Sequence, residues 1–377
     1  METRHFPSDF HPRRIVVKLG TGILTSGIGQ LDLDVIRNIC EQIAELRRQG
    51  MTVIVVSSGA VGLGMGRLGM HRRPRDLPTL QACASVGQSI LIETWQKGFD
   101  PWSVHVGQIL LTRDDLSIRK RHVAVRETIE RLLRADIVPV INENDCISVD
   151  ELKFGDNDVL SALVASLTKS DLLILLSTIP GLMNLETGEV VHTVDALSDA
   201  VRSLAQGTQS PTAVGGMISK LNAVQIATGS NCGVFIAHGK EPGILQNLLA
   251  GAMKGTYFVP QSTDLRSHKR WLAYFHQTHG SISVDAGAAK ALVEGGKSLL
   301  ARGVIQVEGS FGTGAVVDIK SEQGDVIARG ITQFASAELA ELLGKSTSEI
   351  RKTFPDRKHT EVIHRDALAL TERKPVQ

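Results

Sequence analysis

Two lysines in this sequence stand next to glycines, an arrangement that suits phosphate binding. Lys18 ends a short β-branched run and is followed by Gly20 and Gly22, where the bare backbone lets a ligand approach closely. Lys220 follows the pair Gly215–Gly216, which we predict to open a helix with the lysine in its first turn. Alone, Lys18 fits better as a lysine whose ammonium group reaches solvent at a sheet edge. Together the two lysines favour a polyphosphate ligand.

A second anion site is predicted where the run Val53–Val56 gives way to Ser57, Ser58 and Gly59. Small and hydroxyl residues that open a helix leave backbone N–H groups free for a negative charge. The alternative is that Ser57 or Ser58 simply caps that helix. The G-x-G-x-x-G match at 64–69 starts too far beyond the strand to be a dinucleotide fingerprint.

The third feature is a polar cluster after the fourth strand-like run, Ile137–Ile141. Asn142–Asp145 comes first, and Asp156, Asn157 and Asp158 then precede the apolar stripe of a helix. Capping accounts for one of these residues, most simply Asp156, and leaves the rest unexplained. Carboxylates here suit an ammonium group, a Mg²⁺ ion or the positioning of a lysine. Lysines, helix starts and carboxylates at one sheet edge together indicate phosphoryl transfer.

Other chemistries find little support. The sequence has neither a G-x-S-x-G elbow nor an H-E-x-x-H motif, its histidines lack metal-ligand spacing, and its four cysteines form no C-x-x-C pair. The formal net charge of +1 gives no electrostatic reason to expect nucleic acid or an anionic membrane. With no signal peptide and no long apolar segment, we expect a cytoplasmic protein that is not bound to a membrane.

The elements that must position these residues alternate regularly. Short buried runs and amphipathic stretches follow one another from about residue 14, which predicts βαβ units and an α/β fold with a mostly parallel sheet between helices. Beyond a Pro-, Ser- and Arg-containing stretch the runs shorten to glycine-separated strands, which predicts a small β-barrel or sandwich. The predicted segments are an N-terminal extension (1–13), a large domain (14–259), a linker (260–276), a small β-rich domain (277–368) and a tail (369–377).

The small domain could bind RNA, but its charges argue against this. Residues 277–330 hold five basic and six acidic side chains, a difference of −1, and Phe311 is their only aromatic residue. RNA recognition typically uses a basic surface and stacking aromatics. We therefore expect a structural, oligomeric or regulatory role and no nucleic-acid partner.

The motifs together resemble the glutamate 5-kinases of the amino-acid kinase family. The matching segments, in family order, are VVKLGTG (16–22), SSGAVGLG (57–64), HVGQILLTR (105–113), IVPVINEND (137–145), FGDNDVLSALVA (154–165) and GGMISK (215–220). The segments 282–319 and 327–331 resemble the PUA domain that many of these enzymes carry. The resemblance implies an amino-acid kinase fold that phosphorylates the side-chain carboxylate of L-glutamate with ATP and Mg²⁺, as the first step of proline biosynthesis. Another acceptor, such as aspartate or N-acetylglutamate, is the alternative.

The resemblance also implies roles for individual residues. The catalytic residues would be Lys18, Lys220 and Asp158, and the glutamate would be held by Ser58, Asp145 and Asn157. The nucleotide would lie against Lys18, Ser177, Thr178, Gly215, Gly216, Ser219 and Lys220. Family members usually carry other residues at 177–178, 182–185 and 214–219, so the departures cluster on the nucleotide side. The family further implies a dimer or tetramer, feedback inhibition by proline near Thr112–Asp115, Arg119 and Arg121, and contact with glutamate-5-semialdehyde dehydrogenase.

Overall fold

The computed structural model describes residues 11–27, 29–148, 157–205, 211–251, 255–261, 280–353 and 360–370. The chain divides into two compact units, Met1–Thr263 and Asp264–Gln377. Most of the predicted linker, from residue 262 on, lies outside the described residues, so its bounds stay a prediction. Among the residues that the structure describes, no helix is both long and apolar enough to cross a membrane.

The first unit is built on an eight-stranded sheet with the order β5-β6-β4-β1-β7-β9-β10-β8. Six of its strands run parallel in one continuous block from β5 to β9, and β10 runs antiparallel to β9. This confirms the predicted mostly parallel sheet. The strands of the sheet are β1 (Arg14–Leu19), β4 (Thr52–Ser57), β5 (Val106–Leu111), β6 (Val138–Glu143), β7 (Leu172–Ser177), β8 (Thr193–Val194), β9 (Gly233–His238) and β10 (Thr256–Phe258), with a separate hairpin of β2 (Thr25–Gly27) and β3 (Gln30–Leu31).

Helices connect these strands and cover the sheet. They are α1 (Thr21–Leu24), α2 (Leu33–Arg48), α3 (Ala60–Arg67), α4 (Leu77–Phe99), α5 (Arg113–Ser117), α6 (Arg119–Arg134), α7 (Asn157–Thr168), α8 (Asp199–Leu204), α9 (Pro211–Thr228) and α10 (Ile244–Ala250). Helix α2 begins where Asp32 accepts a hydrogen bond from the backbone N–H of Val35. The central strands are buried almost throughout because helices cover both faces of the sheet.

Helices α3 and α4 approach each other unusually closely through two glycines. A Cβ atom at Gly64 would overlap the carbonyl oxygen of Cys83, and one at Gly87 would overlap that of Ala60. Any larger residue at either position would therefore push the helices apart. The contact joins the segment that follows β4 to the long helix beneath it.

The second unit contains a five-stranded sheet in the order β12-β11-β13-β14-β15, with β11 and β13 parallel. Its strands are β11 (Ser281–Val284), β12 (Val304–Glu308), β13 (Val316–Lys320), β14 (Val326–Ile331) and β15 (Leu368–Leu370). The sequence predicts the first four and misses β15, which spans the predicted start of the tail at residue 369. It also misses three helices, α11 (Ala286–Val293), α12 (Ser336–Glu341) and α13 (Thr347–Thr353), which supply residues such as Leu292, Leu339 and Ile350 to the core.

Candidate active site

The candidate site lies at the carboxyl ends of the parallel strands of the first unit. Strand β1 is flanked by β4 on one side and β7 on the other, so the chain changes direction along the sheet at β1. Ligands of open α/β sheets bind at such a switch point, beyond the carboxyl ends of the strands. Lys18, Ser57, Asn142 and Ser177 all lie in the last two residues of their strands. The fold therefore gathers residues that are far apart in the sequence.

Two lysines meet one carboxylate at the centre of this edge. The Nζ atom of Lys18 lies 2.5 Å from Oδ1 of Asp158, and the Nζ atom of Lys220 lies 2.7 Å from Oδ2. The side chains are 4%, 9% and 0% exposed for Lys18, Lys220 and Asp158 respectively. Both oxygens of one fully buried carboxylate thus hold the ammonium groups in place, and three charged groups leave a net charge of +1. The three predicted catalytic residues are brought together.

Lys220 reaches this cluster in a way that the sequence does not predict. Helix α9 begins at Pro211, so Gly215, Gly216 and Lys220 lie inside the helix, and Lys220 is its tenth residue. The predicted helix start at the glycine pair is wrong, because proline is favoured in the first turn of a helix and packing against α7 overrides the low helix propensity of glycine. The backbone N–H groups of the glycine pair are therefore not the free donors of a helix start.

The segment after β4 is shaped by a glycine and not by a capping serine. Gly59 precedes α3 with φ +110°, a conformation that other residues rarely adopt, and no side chain caps the helix. The alternative that Ser57 or Ser58 caps α3 is therefore wrong. Ser57 Oγ instead accepts a hydrogen bond of 3.0 Å from Nε1 of Trp95, and Ser58 Oγ accepts one of 2.8 Å from Nδ2 of Asn157.

A network of buried amides connects Ser58 to helix α4. Asn157 Nδ2 also lies 2.9 Å from Oδ1 of Asn142, and Asn142 Nδ2 donates to Oε1 of Gln88 over 2.9 Å. The backbone N–H of Glu143 donates to the same Asn142 oxygen, which fixes the orientation of that amide. Gln88 and Asn142 are buried; the sequence places Asn142 in the polar cluster at 142–145 without a ligand of its own, and it gives Gln88 no role. The available signal was that Gln88 lies at helical spacing from the apolar residues Leu91 and Trp95, so that the three share one face of a helix.

Asp145 follows this network in a turn after β6. Its side chain is half-buried, and the turn is tied to β5 by a hydrogen bond from the backbone N–H of Asn144 to the carbonyl oxygen of Leu111. The residues 149–156, which include the expected cap Asp156, lie outside the described part of the chain. Ser58, Asn157 and Asp145 therefore follow or begin elements that border one another, and their contact with a glutamate stays a prediction.

Two of the residues predicted to contact the nucleotide, Ser177 and Thr178, lie at the end of β7, which pairs with β1 beside Lys18. Ser177 is half-buried at the end of β7, and Thr178 is exposed. The Cγ2 atom of Thr178 would lie 3.0 Å from a Cβ at Gly22, and Lys18 Nζ would lie 3.6 Å from a Cβ at Gly20. Gly20 thus lies next to the ammonium group without a side chain of its own, and Gly22 does the same next to Thr178. Ser219 is half-buried and adjacent in sequence to Lys220.

Neither the described carboxylates nor the histidines and cysteines form a ready metal site. Within the described ranges, no three His, Cys, Asp or Glu side chains cluster in a way that could hold a metal ion. Asp158, the most central carboxylate, already has a lysine on each oxygen. Among the described side chains, Asp158 is therefore engaged by the two lysines and not by a metal ion.

Comparison with known proteins identifies the family of this chain. Residues 13–238 match the model of the amino acid kinase family, and residues 280–354 match that of the PUA domain. The chain therefore belongs to the amino acid kinase family, and within it to the family of glutamate 5-kinases. The glutamate 5-kinase of Caldanaerobacter subterraneus subsp. tengcongensis is 41% identical over 96% of this chain and 98% of its own length. Those of Myxococcus xanthus and Geobacter sp. strain M21 are each 42% identical over 95% of this chain, and over 96% and 97% of their own lengths.

Proposed function

We propose that this chain transfers the γ-phosphoryl group of ATP to the side-chain carboxylate of L-glutamate and so forms L-glutamyl 5-phosphate, the first intermediate of proline biosynthesis. The observation that carries the proposal is the buried Lys18–Asp158–Lys220 cluster beside an amide and hydroxyl network at one sheet edge. Its relatives of about 40% identity over nearly the full chain are glutamate 5-kinases. The alternatives of another acceptor or an RNA ligand have no such support.

The chemistry explains why lysines dominate the site. A carboxylate acceptor is already ionised at neutral pH, so the enzyme needs no general base. The obstacle is to bring two anions together in line, and catalysis of phosphoryl transfer consists mainly of positioning and charge neutralisation. Lys18 and Lys220 supply fixed positive charge, and Asp158 holds both ammonium groups where the charge of the transferred group develops. Asp158 keeps them in place before the substrates arrive.

The remaining residues divide between the two substrates. On the acceptor side, Ser58 and Asn157 supply polar groups for the glutamate, and Asp145 supplies a carboxylate for its ammonium group. On the donor side, the nucleotide lies against the open edge next to Lys18, and its neighbours are Ser177, Thr178, Gly215, Gly216, Ser219 and Lys220. The departures from the family pattern at 177–178 and 214–219 affect nucleotide affinity more than acceptor choice.

Mg²⁺ enters this proposal as the partner of ATP. Because Asp158 is engaged by both lysines, the phosphate oxygens and water would supply most of the metal ligands. Bound in this way, Mg²⁺ would neutralise part of the charge of the β- and γ-phosphates. The chain itself contributes the lysines and the position of the acceptor.

Regulation and assembly are further parts of the proposal. We expect proline to compete near the acceptor site, with the segment Thr112–Asp115 as a contributor together with Arg119 and Arg121. In the structure Asp115 Oδ2 accepts hydrogen bonds from the backbone N–H and the hydroxyl of Thr112, at 2.8 and 2.7 Å, so this segment has a defined shape at the start of α5. We also expect a cytoplasmic dimer or tetramer, and contact with glutamate-5-semialdehyde dehydrogenase would protect the labile acyl phosphate.

The decisive experiment measures ADP release with Mg-ATP in the presence of L-glutamate, L-aspartate or N-acetyl-L-glutamate, with and without proline. We expect strong stimulation by glutamate alone and its reduction by proline. Equal stimulation by all three acceptors, or none, would refute the assignment. Lys220→Ala should lower kcat by about 10²–10³-fold, as the loss of a preorganised electrostatic contact does. The matched control is Lys97→Ala, an exposed lysine on α4, which should leave kcat unchanged.

A further inference from the structure

A basic cleft lies at the opposite end of β1 from the candidate active site. It has a volume of about 670 Å³ and is bordered by α6, by the end of α7 and by the first residue of β1. This volume falls within the range of small-molecule sites. Its cationic side chains are Arg14, Arg126, Arg131, Arg134 and Lys169. We call this the α6 cleft.

The positive charge of the α6 cleft is only partly neutralised. Five basic and two acidic side chains line it, a difference of +3, whereas the whole chain has a formal net charge of +1. One of the acids, Glu130, is held by Arg14 through two contacts of 2.6 and 3.1 Å. Glu130 lies one helical turn from both Arg126 and Arg134, but its carboxylate is already paired with Arg14. Among the described residues, neither arginine forms an ion pair.

Arg14 lines the α6 cleft and is held in place by contacts to two helices. Its Nη1 atom also donates to the carbonyl oxygen of Thr168 over 2.5 Å, so the guanidinium group links β1, α6 and the end of α7. The arginines of α6 line the same cleft as Arg14. Lys169 follows α7 with φ +52°, an unusual conformation for a residue with a side chain. Several guanidinium groups around one concave surface suit phosphate groups, which they bind in a bidentate manner.

The α6 cleft is separate from the candidate active site. Arg14 and Lys18 are four residues apart on the extended strand β1, which places them about 13 Å apart along the chain. Helix α7 is twelve residues long, with Asp158 in its first turn and Thr168 at its end. The two surfaces therefore lie at opposite ends of the same strand and the same helix.

We propose that the α6 cleft is a second anion site, which binds a small ligand carrying several phosphate groups. This inference goes beyond the proposed function and does not depend on it. The ligand would place its phosphates between Arg126, Arg131 and Arg134 and supply the negative charge that Glu130 cannot. Inorganic polyphosphate and nucleoside triphosphates share this chemistry.

The test is calorimetric titration of the full chain with inorganic tripolyphosphate. We expect the native chain to bind at two sites, one at the lysine cluster and one at the α6 cleft. Lys220→Ala should weaken the first and retain the second, and Arg126→Ala with Arg131→Ala should weaken the second by at least about tenfold, since each lost contact is a charge-assisted hydrogen bond. The control with the same change in net charge is Arg37→Ala with Arg48→Ala on α2.

Three outcomes would overturn the proposal. These are a single site abolished by Lys220→Ala, equal weakening by the α6 variant and the α2 control, and a change of oligomeric state in the α6 variant that marks the cleft as a subunit interface. Because the α6 variant does not touch the lysine cluster, its activity with ATP and glutamate reports on the proposed function separately. In the Lys220→Ala background, tighter binding of GTP than of tripolyphosphate would assign the site to a nucleotide. Equal binding would assign it to phosphate groups alone.

Discussion

Replacing Asp158 by asparagine should both destabilise the fold and abolish most of the activity. The substitution preserves the shape of the side chain but removes the negative charge that pairs with both Lys18 and Lys220. At an effective dielectric constant of about 20, each contact of 2.5 or 2.7 Å contributes about 6 kcal/mol of attraction. In the native protein, the free-energy cost of desolvating the three charges offsets most of that attraction. The variant keeps the desolvation cost of both lysines but loses the attraction that compensates for it.

Removal of one partner from a buried ion pair typically costs about 3–5 kcal/mol. We therefore expect the Asp158→Asn variant to lose at least about 3 kcal/mol of unfolding free energy, measured by urea denaturation at pH 7 and followed by circular dichroism. The loss should be smaller when a polyphosphate nucleotide is present, because the ligand supplies negative charge to the same lysines. Activity should fall by about 10²-fold or more at saturating substrates.

The matched control is Asp34→Asn, which removes an exposed partner of Arg37 on α2. Surface pairs of this kind contribute little, so the control should unfold like the native chain. A loss of less than about 1 kcal/mol for Asp158→Asn would refute the reasoning, because it would mean that the two lysines do not depend on this carboxylate. An equal loss with and without nucleotide would refute the role of the lysines in phosphate binding.

The other predictions concern the acceptor network, the helix contact and the buried thiols. Gln88→Leu leaves a buried amide donor without its partner, and we expect KM for glutamate to rise about tenfold with a smaller change in kcat, measured by steady-state kinetics. Gly64→Ala should destabilise the fold by about 1–3 kcal/mol because its methyl group meets backbone, whereas Gly62→Ala has open space and should not destabilise; equal melting temperatures would contradict this. Burial raises the pKa of the Cys40 and Cys232 thiols, so neither should react with a maleimide before unfolding, as detected by mass spectrometry. Since these thiols ionise only in the unfolded chain above about pH 9, their contribution to stability should fall as the pH rises beyond that value.

The sequence predicts the large sheet and the central cluster of the site well, for a physical reason. Runs such as Val53–Val56 and Leu172–Leu176 are apolar on both faces, which only a sheet covered by helices accommodates. Once the strands are parallel, their carboxyl ends share an edge, and Lys18 must lie near residues that follow the other strands. The approach of Asp158 to Lys18 follows from that topology together with the helix that Asp158 opens, whereas Lys220 comes from the middle of α9.

Other parts depend on packing that no local pattern records. The glycine pair at 215–216 suits a helix start, and the contact of α9 with α7 explains why it lies inside the helix instead. Ser58 fits a helix cap in the sequence, but the left-handed conformation of Gly59 leaves its hydroxyl free to contact Asn157. Gln88 acts across 54 residues of sequence on Asn142, and such a pairing becomes visible only in three dimensions.

The glycine contact between α3 and α4 has a consequence for substrate choice. Backbone touches backbone at Gly64 and Gly87, so the two helices cannot slide past each other to follow a ligand of different length. Ser58 just before α3 and Gln88 on α4 are thereby held at a set spacing before any substrate binds. In the proposed reaction, an acceptor shorter by one methylene would bind without moving α3 and α4 closer together. Its carboxylate would therefore lie too far from the phosphorus atom to react. Selectivity for the length of the acceptor would then come from the rigidity of the two helices. A shorter acceptor would show a lower kcat more than a higher KM.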